Sequence, residues 1–444
     1  MKNQLTLLLG FLIFPFCLSA QDFDKEKMDQ LFDLLEESDR AMLTVSLFEN
    51  GEEIYTRSIG YADIEREVKA TSGTQYRMGS ITKTYLATLI LQLVEQGKLS
   101  LQTPLADLFP DVPNAEDITI KMLLNHRSGI FNFTSADDYL SYHEQPKSRE
   151  QLLELISSFE PVFEPGSRLE YSNSNYVLLT MILEQLTGSD FNKLIFDNIS
   201  QAHGLGSTFV ANKLTQNIRH ANSYERKQEW ELSTETHSSV PLGAGSLSAT
   251  AFELNRFFYL LFSHQVISEA SLETMTTATD GFGLGVFQIP FFNKRAWGHT
   301  GGIDGFHSTA AFFPEDGLGV VLLSNASATD LNNILIGMLS IYYNMPYEMP
   351  EFPPFLFLEE EELMVYEGTY SHPQFPLKIS IWNESNSLMA QATDQPSFTL
   401  DARGDHIFAY DAARLTLTFN PEKETMLLQQ AGMEWLMTKE EVEE

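Results

Sequence analysis

The sequence predicts an α+β fold: an antiparallel sheet flanked by helices and carrying an inserted helical lobe, followed by a small all-β barrel. Three observations predict it. Strand-like patterns stand at 42–60 and return at 282–324. Between them, from about 85 to 265, the apolar periodicity is mainly helical. Beyond a proline-rich break at 347–362, YEMPEFPPFLFLEEEE, the texture changes to short alternating strands. The expected organisation is an N-terminal leader at 1–20, a large domain at 21–346, a linker at 347–362 and a barrel at 363–444.

Taken in order, the first stretch, MKNQLTLLLGFLIFPFCLSAQD, has one lysine, an apolar run and a small residue, Ala20, before Gln21. That is the pattern of a secretory signal peptide cleaved after Ala20, which implies a secreted or periplasmic protein. The run is short for a spanning helix and no second such run follows, so no membrane span is expected in the mature chain. Cys17 is the only cysteine, and Phe14, Pro15 and Phe16 stand before it where a lipid-attachment signal needs small residues. Without Cys17 the mature chain has no disulfide, and its stability must come from packing.

MLTVSLFENGEEIYTRSIG alternates around Asn50-Gly51, a two-residue hairpin signal. SREQLLELISSF opens with Ser148 and has Gln151 three residues on, a capping box, and NYVLLTMILEQLTG reads as a second lobe helix. The later strands are expected in FGLGVFQI, RAWGHTGG, STAAFFP and GVVLLSN. In the tail, LKISIW, HIFAYDA, RLTLTFN and TMLLQQ are short enough for a small barrel or sandwich. The formal net charge of -33 argues against nucleic acid and anionic membrane surfaces as partners. The ten histidines are scattered without metal-ligand spacing, so no structural metal is expected.

The chemistry begins at YRMGSITKTY, where Ser80 and Lys83 stand three apart and share one helix face. The following run, TYLATLILQLVEQG, is apolar on nearly every side, so Lys83 falls in a core. A serine hydroxyl needs a base within hydrogen-bond reach, and burial lowers a lysine's pKa until it can serve. Ser-x-x-Lys alone is a weak pattern, equally readable as a capping serine and a surface lysine. Two further stretches add to it: Tyr171-Ser172-Asn173 before an amphipathic helix, and His299-Thr300-Gly301 followed by Gly302 on a strand-like run.

In this order and at these separations, the three motifs resemble the serine β-lactamase and penicillin-binding protein superfamily. The similarity is to its class C branch, which also holds D-alanyl-D-alanine carboxypeptidases and family VIII esterases. MLLNHRSGI, PLGAGSLSAT, FGLGVF and GHTGGIDGFHS are similar to segments of that family, and the likeness covers about 30 to 345. LMVYEGTY and the strands after it resemble the lipocalin-like module fused behind such domains. The resemblance implies a serine hydrolase working through an acyl-enzyme, with no metal or organic cofactor, on a small-molecule or peptide substrate.

By the same resemblance Ser80 is the nucleophile, Lys83 holds or accepts its proton, and Tyr171 is the general base and acid of the relay. Asn173, His299, Thr300 and Gly301 bind substrate, and the N–H groups of Ser80 and Gly302 form the oxyanion hole. Each such donor is typically worth about 3 kcal/mol in the transition state. The departure is His299, where typical class C β-lactamases have lysine. Histidine there gives a hydrogen bond and is expected to become cationic below about pH 6.5. His126 and His307 fall in no catalytic slot and read as structural. Peptidase, esterase and β-lactamase activity stay open, as does a penicillin-recognising sensor that acylates once and stops.

Overall fold

The computed structural model describes residues 23–440 except 212–218, 228, 355, 357, 385, 394 and 396. The expected signal peptide and Cys17 lie outside the described residues. The first element is α1 (Lys25–Glu37), capped by the Asp24 carboxylate, which accepts from the N–H of Lys27. The hairpin follows as β1 (Ala41–Glu49) and β2 (Glu52–Ile59). Asn50 and Gly51 turn it with φ of 52° and 90°, the left-handed pair that a two-residue hairpin requires.

After β2 the chain enters a helical lobe built around two long apolar helices, α2 (Thr82–Glu95) and α3 (Asn173–Thr187). The Ser148–Gln151 capping box is present as both reciprocal hydrogen bonds. The helix α4 (Ala251–Phe262) leads back to the sheet. Four strands then complete it: β3 (Phe287–Phe291), β4 (Lys294–Ile303), β5 (Phe306–Phe313) and β6 (Leu318–Ser327). The sheet order is β3-β4-β5-β6-β1-β2, and β6 pairs antiparallel with β1 from Ala41↔Ser327 to Glu49↔Leu318. Strands from the two ends of the domain are therefore neighbours, with the lobe inserted between them.

The alternation in β1 has a different meaning from a half-exposed strand, because both of its faces are buried. Leu43, Val45 and Leu47 pack on α1 and on α5 (Leu331–Tyr342), while α4 covers the opposite face. The polar residues on that opposite face are satisfied internally. Thr44 Oγ1 lies 2.9 Å from the Tyr76 hydroxyl, and Asn255 Nδ2 donates to the Ser46 carbonyl at 2.9 Å. Hydrogen bonding removes most of the cost of burying such groups. FGLGVF also differs from expectation, since β3 begins only at Phe287.

The tail forms a closed antiparallel barrel of eight strands. They are β7 (Gly368–Ser371), β8 (Ile379–Glu384), β9 (Ser387–Ala392), β10 (Phe398–Gly404), β11 (Ile407–Tyr410), β12 (Leu415–Asn420), β13 (Thr425–Gln430) and β14 (Met433–Lys439). Pairing of Tyr370 with Lys439 closes it, which leaves no free sheet edge. Tyr366 and Tyr370 of the LMVYEGTY stretch sit in its core, and the Tyr370 hydroxyl donates to the Tyr366 carbonyl at 2.9 Å.

Candidate active site

Ser80 lies on a single 3-10 turn, Gly79–Ile81, that runs directly into α2. Two glycines permit the close approach of β4 to this turn. Gly79 has φ +51°, and a Cβ there would sit 2.9 Å from the Gly302 nitrogen. A Cβ on Gly301 would sit 2.0 Å from the Met78 carbonyl oxygen. Any larger side chain at either position would push the strand off the turn. Ser308 Oγ donates to the same Met78 carbonyl at 2.8 Å and ties the turn to β5.

One turn after Ser80, as the second residue of α2, Lys83 is fully buried. Its Nζ reaches Ser80 Oγ at 3.0 Å, Asn173 Oδ1 at 2.8 Å and the Ala244 carbonyl at 2.7 Å. It also stands 4.9 Å from the Tyr171 ring centroid and 5.4 Å from that of Tyr176. None of these partners is an anion. Burial therefore dominates and holds the Lys83 pKa well below its ordinary value. A neutral amine fits the three contacts well: two N–H groups serve Asn173 and Ala244, and the lone pair faces the Ser80 hydroxyl.

Tyr171 and Asn173 enter from the start of α3. Asn173 is its first residue, and its N–H donates to Asn132 Oδ1 at 2.9 Å. Its Nδ2 donates to Thr134 Oγ1 at 2.9 Å, so the amide orientation is set from both ends. The Tyr171 ring packs on His126 with centroids 4.2 Å apart and planes tilted by 31°. Burial pushes its phenol well above the ordinary tyrosine value, opposed by a hydrogen bond with the Ser80 side chain. The resting phenol is protonated, which disfavours Tyr171 as the first base and favours Lys83.

Ser80, Lys83, Tyr171, Asn173 and Gly302 thus converge. A cleft of about 350 Å³ opens beside them, lined by Ser80, Asn173 and Gly302, and also by Tyr139, His143 and Glu225. Thr300 and Gly302 present the exposed face of β4. His299 does not join this surface. It is 3% exposed and points inward, 4.9 Å from the Phe287 ring and 6.3 Å from Tyr171 by centroids, with Nδ1 against the Thr300 carbonyl. Burial first, then the nearby Lys83, lowers its pKa to about 3. The expected gain of charge below pH 6.5 therefore fails, because an interior imidazole has no water to solvate its cation.

Sequence reasoning assigned no individual role to four contributors. His126, with φ +58°, accepts the Ser172 N–H on Nδ1 at 3.2 Å and backs Tyr171. Asn132 and Thr134 lie in 131–147, FNFTSADDYLSYHEQPK, a polar and aromatic stretch that the sequence offers as a lining of the site without naming a residue in it. The fourth is the Ala244 carbonyl, a backbone atom and so invisible to any residue pattern.

The Beta-lactamase family profile matches residues 28–335, about two thirds of the chain. The chain belongs to the Beta-lactamase family. A penicillin-binding protein of Bacillus subtilis is 27% identical over 361 residues, covering 74% of this chain and 78% of its own. The D-amino acid amidase of Ochrobactrum anthropi, solved with L-phenylalanine amide, is 25% identical with a TM-score of 0.64, over 72% of this chain and 99% of its own. The octameric penicillin-binding protein homologue of Pyrococcus abyssi shares the fold over 94% of this chain and 100% of its own, at 21% identity and TM-score 0.66. As a member of this family the protein is a serine hydrolase. Among the described residues no helix is long and apolar enough to cross a membrane.

Proposed function

We propose that the protein is a secreted hydrolase that cleaves amide or ester bonds through an acyl-enzyme on Ser80. The observation that carries this reading is the Lys83 amine, buried without an anion and 3.0 Å from Ser80 Oγ. Ser80 Oγ attacks the substrate carbonyl carbon while Lys83 Nζ takes its proton. The carbonyl oxygen becomes an oxyanion, held by the N–H groups of Ser80 and Gly302. Collapse breaks the bond to the leaving nitrogen or oxygen, which receives the proton from Lys83 by way of the Tyr171 phenol. Water then repeats the sequence: it gives one proton to the relay as its oxygen bonds the acyl carbon, the bond from that carbon to Ser80 Oγ breaks to release the acid, and Ser80 Oγ takes the proton back from the relay.

Asn173 orients Lys83 and offers its amide to the substrate, and Thr300 and Gly301 shape the strand edge along which the substrate lies. His299 supports that edge from behind. The similar penicillin-binding protein and D-amino acid amidase support acyl substrates of amide type. The leader-like start of the chain supports secretion.

The test is labelling with a fluorophosphonate or a labelled penicillin, followed by peptide mass mapping and a turnover assay on ester and amide substrates. A single adduct on Ser80, absent from Ser80→Ala, together with many turnovers per enzyme, is the expected result. Labelling that survives in Ser80→Ala overturns the nucleophile. One equivalent of acylation without turnover replaces the hydrolase with a sensor.

A further inference from the structure

The Ser80 cleft continues into a larger cavity of about 720 Å³, between the exposed end of β4 and the barrel. Both spaces are lined by Glu225, Gly302 and Asp304, so these residues form a shared neck. On the sheet side the cavity floor includes Thr300 and His307, which pairs directly opposite Gly302 in the β4–β5 register. On the barrel side its wall includes Phe398 and Tyr410, stacked with centroids 4.5 Å apart and planes 19° apart. Volumes of this order hold small-molecule ligands.

The charges in these two spaces are distributed unequally. Asp304 is held by Arg77 at 2.7 Å and by the Thr236 hydroxyl at 2.7 Å. Arg414 holds Asp330 at 3.0 Å, and Arg403 holds Asp401 and Asp411 at 3.7 and 2.7 Å. Arg226 is engaged by Asp39 at 2.6 Å. Glu225 is exposed, and among the described residues its carboxylate accepts from Ser233 Oγ at 3.1 Å and has no ion-pair partner. No described lysine or arginine lines the Ser80 cleft. In the outer cavity the lining arginine, Arg226, is already engaged by Asp39, so a carboxylate-bearing chain would meet only that paired guanidinium, whereas an ammonium would meet Glu225 and two aromatic rings.

We propose that this cavity is the outer half of the substrate cleft, and that it receives a cationic, amine-bearing acyl chain, read by Glu225 at the neck and by Phe398 and Tyr410 on the barrel. This rests on the acyl-enzyme reading of Ser80. The acyl portion stays bonded to Ser80 while the leaving group departs, so the larger of the two spaces suits the part that remains. The barrel then has a direct function as one wall of the specificity site.

The experiment uses the full chain and four 4-nitrophenyl esters: the acetate, and six-carbon acyl chains ending in trimethylammonium, tert-butyl or carboxylate. Each kcat/KM is normalised to the acetate on the same variant. The expected order is cation, neutral, anion, with about tenfold between the first two, the size of one partly desolvated charge contact. Glu225→Gln should compress that ratio to about twofold, and Glu225→Lys should invert it. Phe398→Leu should lower the cationic ester against the acetate. A ratio insensitive to Glu225→Gln and Glu225→Lys, or a preference for the carboxylate ester, overturns the assignment. If Ser80→Ala still hydrolyses the acetate at the parent rate, the acyl-enzyme reading fails and this one falls with it. If that variant is inactive while the ratio ignores Glu225, only this inference fails.

Discussion

Lys83 under the cleft and Arg40 at the junction of sheet and barrel are both fully buried, yet their surroundings differ in kind. Lys83 meets a hydroxyl, an amide oxygen and a backbone carbonyl. Arg40 donates to the Pro353 carbonyl, lies 5.4 Å from the Phe352 ring and stands 3.9 Å from the Asp411 carboxylate. Burial and the neighbouring Arg403 lower the Arg40 pKa only to about 10, so it stays charged at neutral pH. The difference teaches what each cation is for. An ammonium surrounded by neutral dipoles gives up its proton and becomes a base; a guanidinium beside carboxylates keeps its charge and becomes a clamp.

The largest effect expected from this contrast is kinetic. Lys83→Met should reduce kcat/KM by about a thousandfold or more, as for loss of a general base acting within a relay. Its melting temperature should hold or rise, because the desolvation of the amine disappears with the amine. An equally large loss of stability would mean that Lys83 is a structural cation like Arg40. Arg40→Met should do the reverse. Labelling of Ser80 should persist, while stability in urea falls by about 3 kcal/mol, the order found when one partner of a buried ionic cluster is removed. An unchanged urea midpoint would show that the junction does not need its charge.

A smaller effect is set by the two buried histidines beside Tyr171. Burial is the leading cause that lowers the pKa of both His126 and His299, the latter to about 3. The unfolded chain therefore binds more protons than the native one below about pH 6.5. Stability is fully present above that value and is lost as pH falls, with a limiting slope of about 1.4 kcal/mol per pH unit for each group. Urea midpoints at pH 7 and pH 5 should show the fall, and His299→Asn should reduce it. A slope untouched by the substitution would place His299 in water. The smallest expected effect is a null one. Between pH 5 and 8 the ratio of kcat/KM for carboxylate-bearing and neutral substrates should show no inflection from His299. A rise in that ratio through pH 6.5, abolished in His299→Asn, would restore His299 as a reader of the carboxylate.

The sequence by itself determined the features that a few neighbouring residues encode. Asn50-Gly51 specifies a hairpin because only left-handed φ values close so tight a turn. Ser148 and Gln151 cap their helix because each reaches the other's backbone across one turn. The three short motifs were legible because each places its chemistry within four residues, and the alternating tail was legible as β structure before its closure into a barrel was known. Tertiary structure decided everything that depends on surroundings. The alternation in β1 was readable, but that both of its faces are buried depends on α4 arriving from residue 251 onward. The inward turn of His299, the Ala244 carbonyl under Lys83 and the neck at Glu225 all join residues far apart in the chain. The physical reason is that a residue's type sets which protons it can carry, whereas solvation sets which of them it keeps. Solvation is a property of the whole packed neighbourhood, here assembled from the lobe, the sheet and the barrel together.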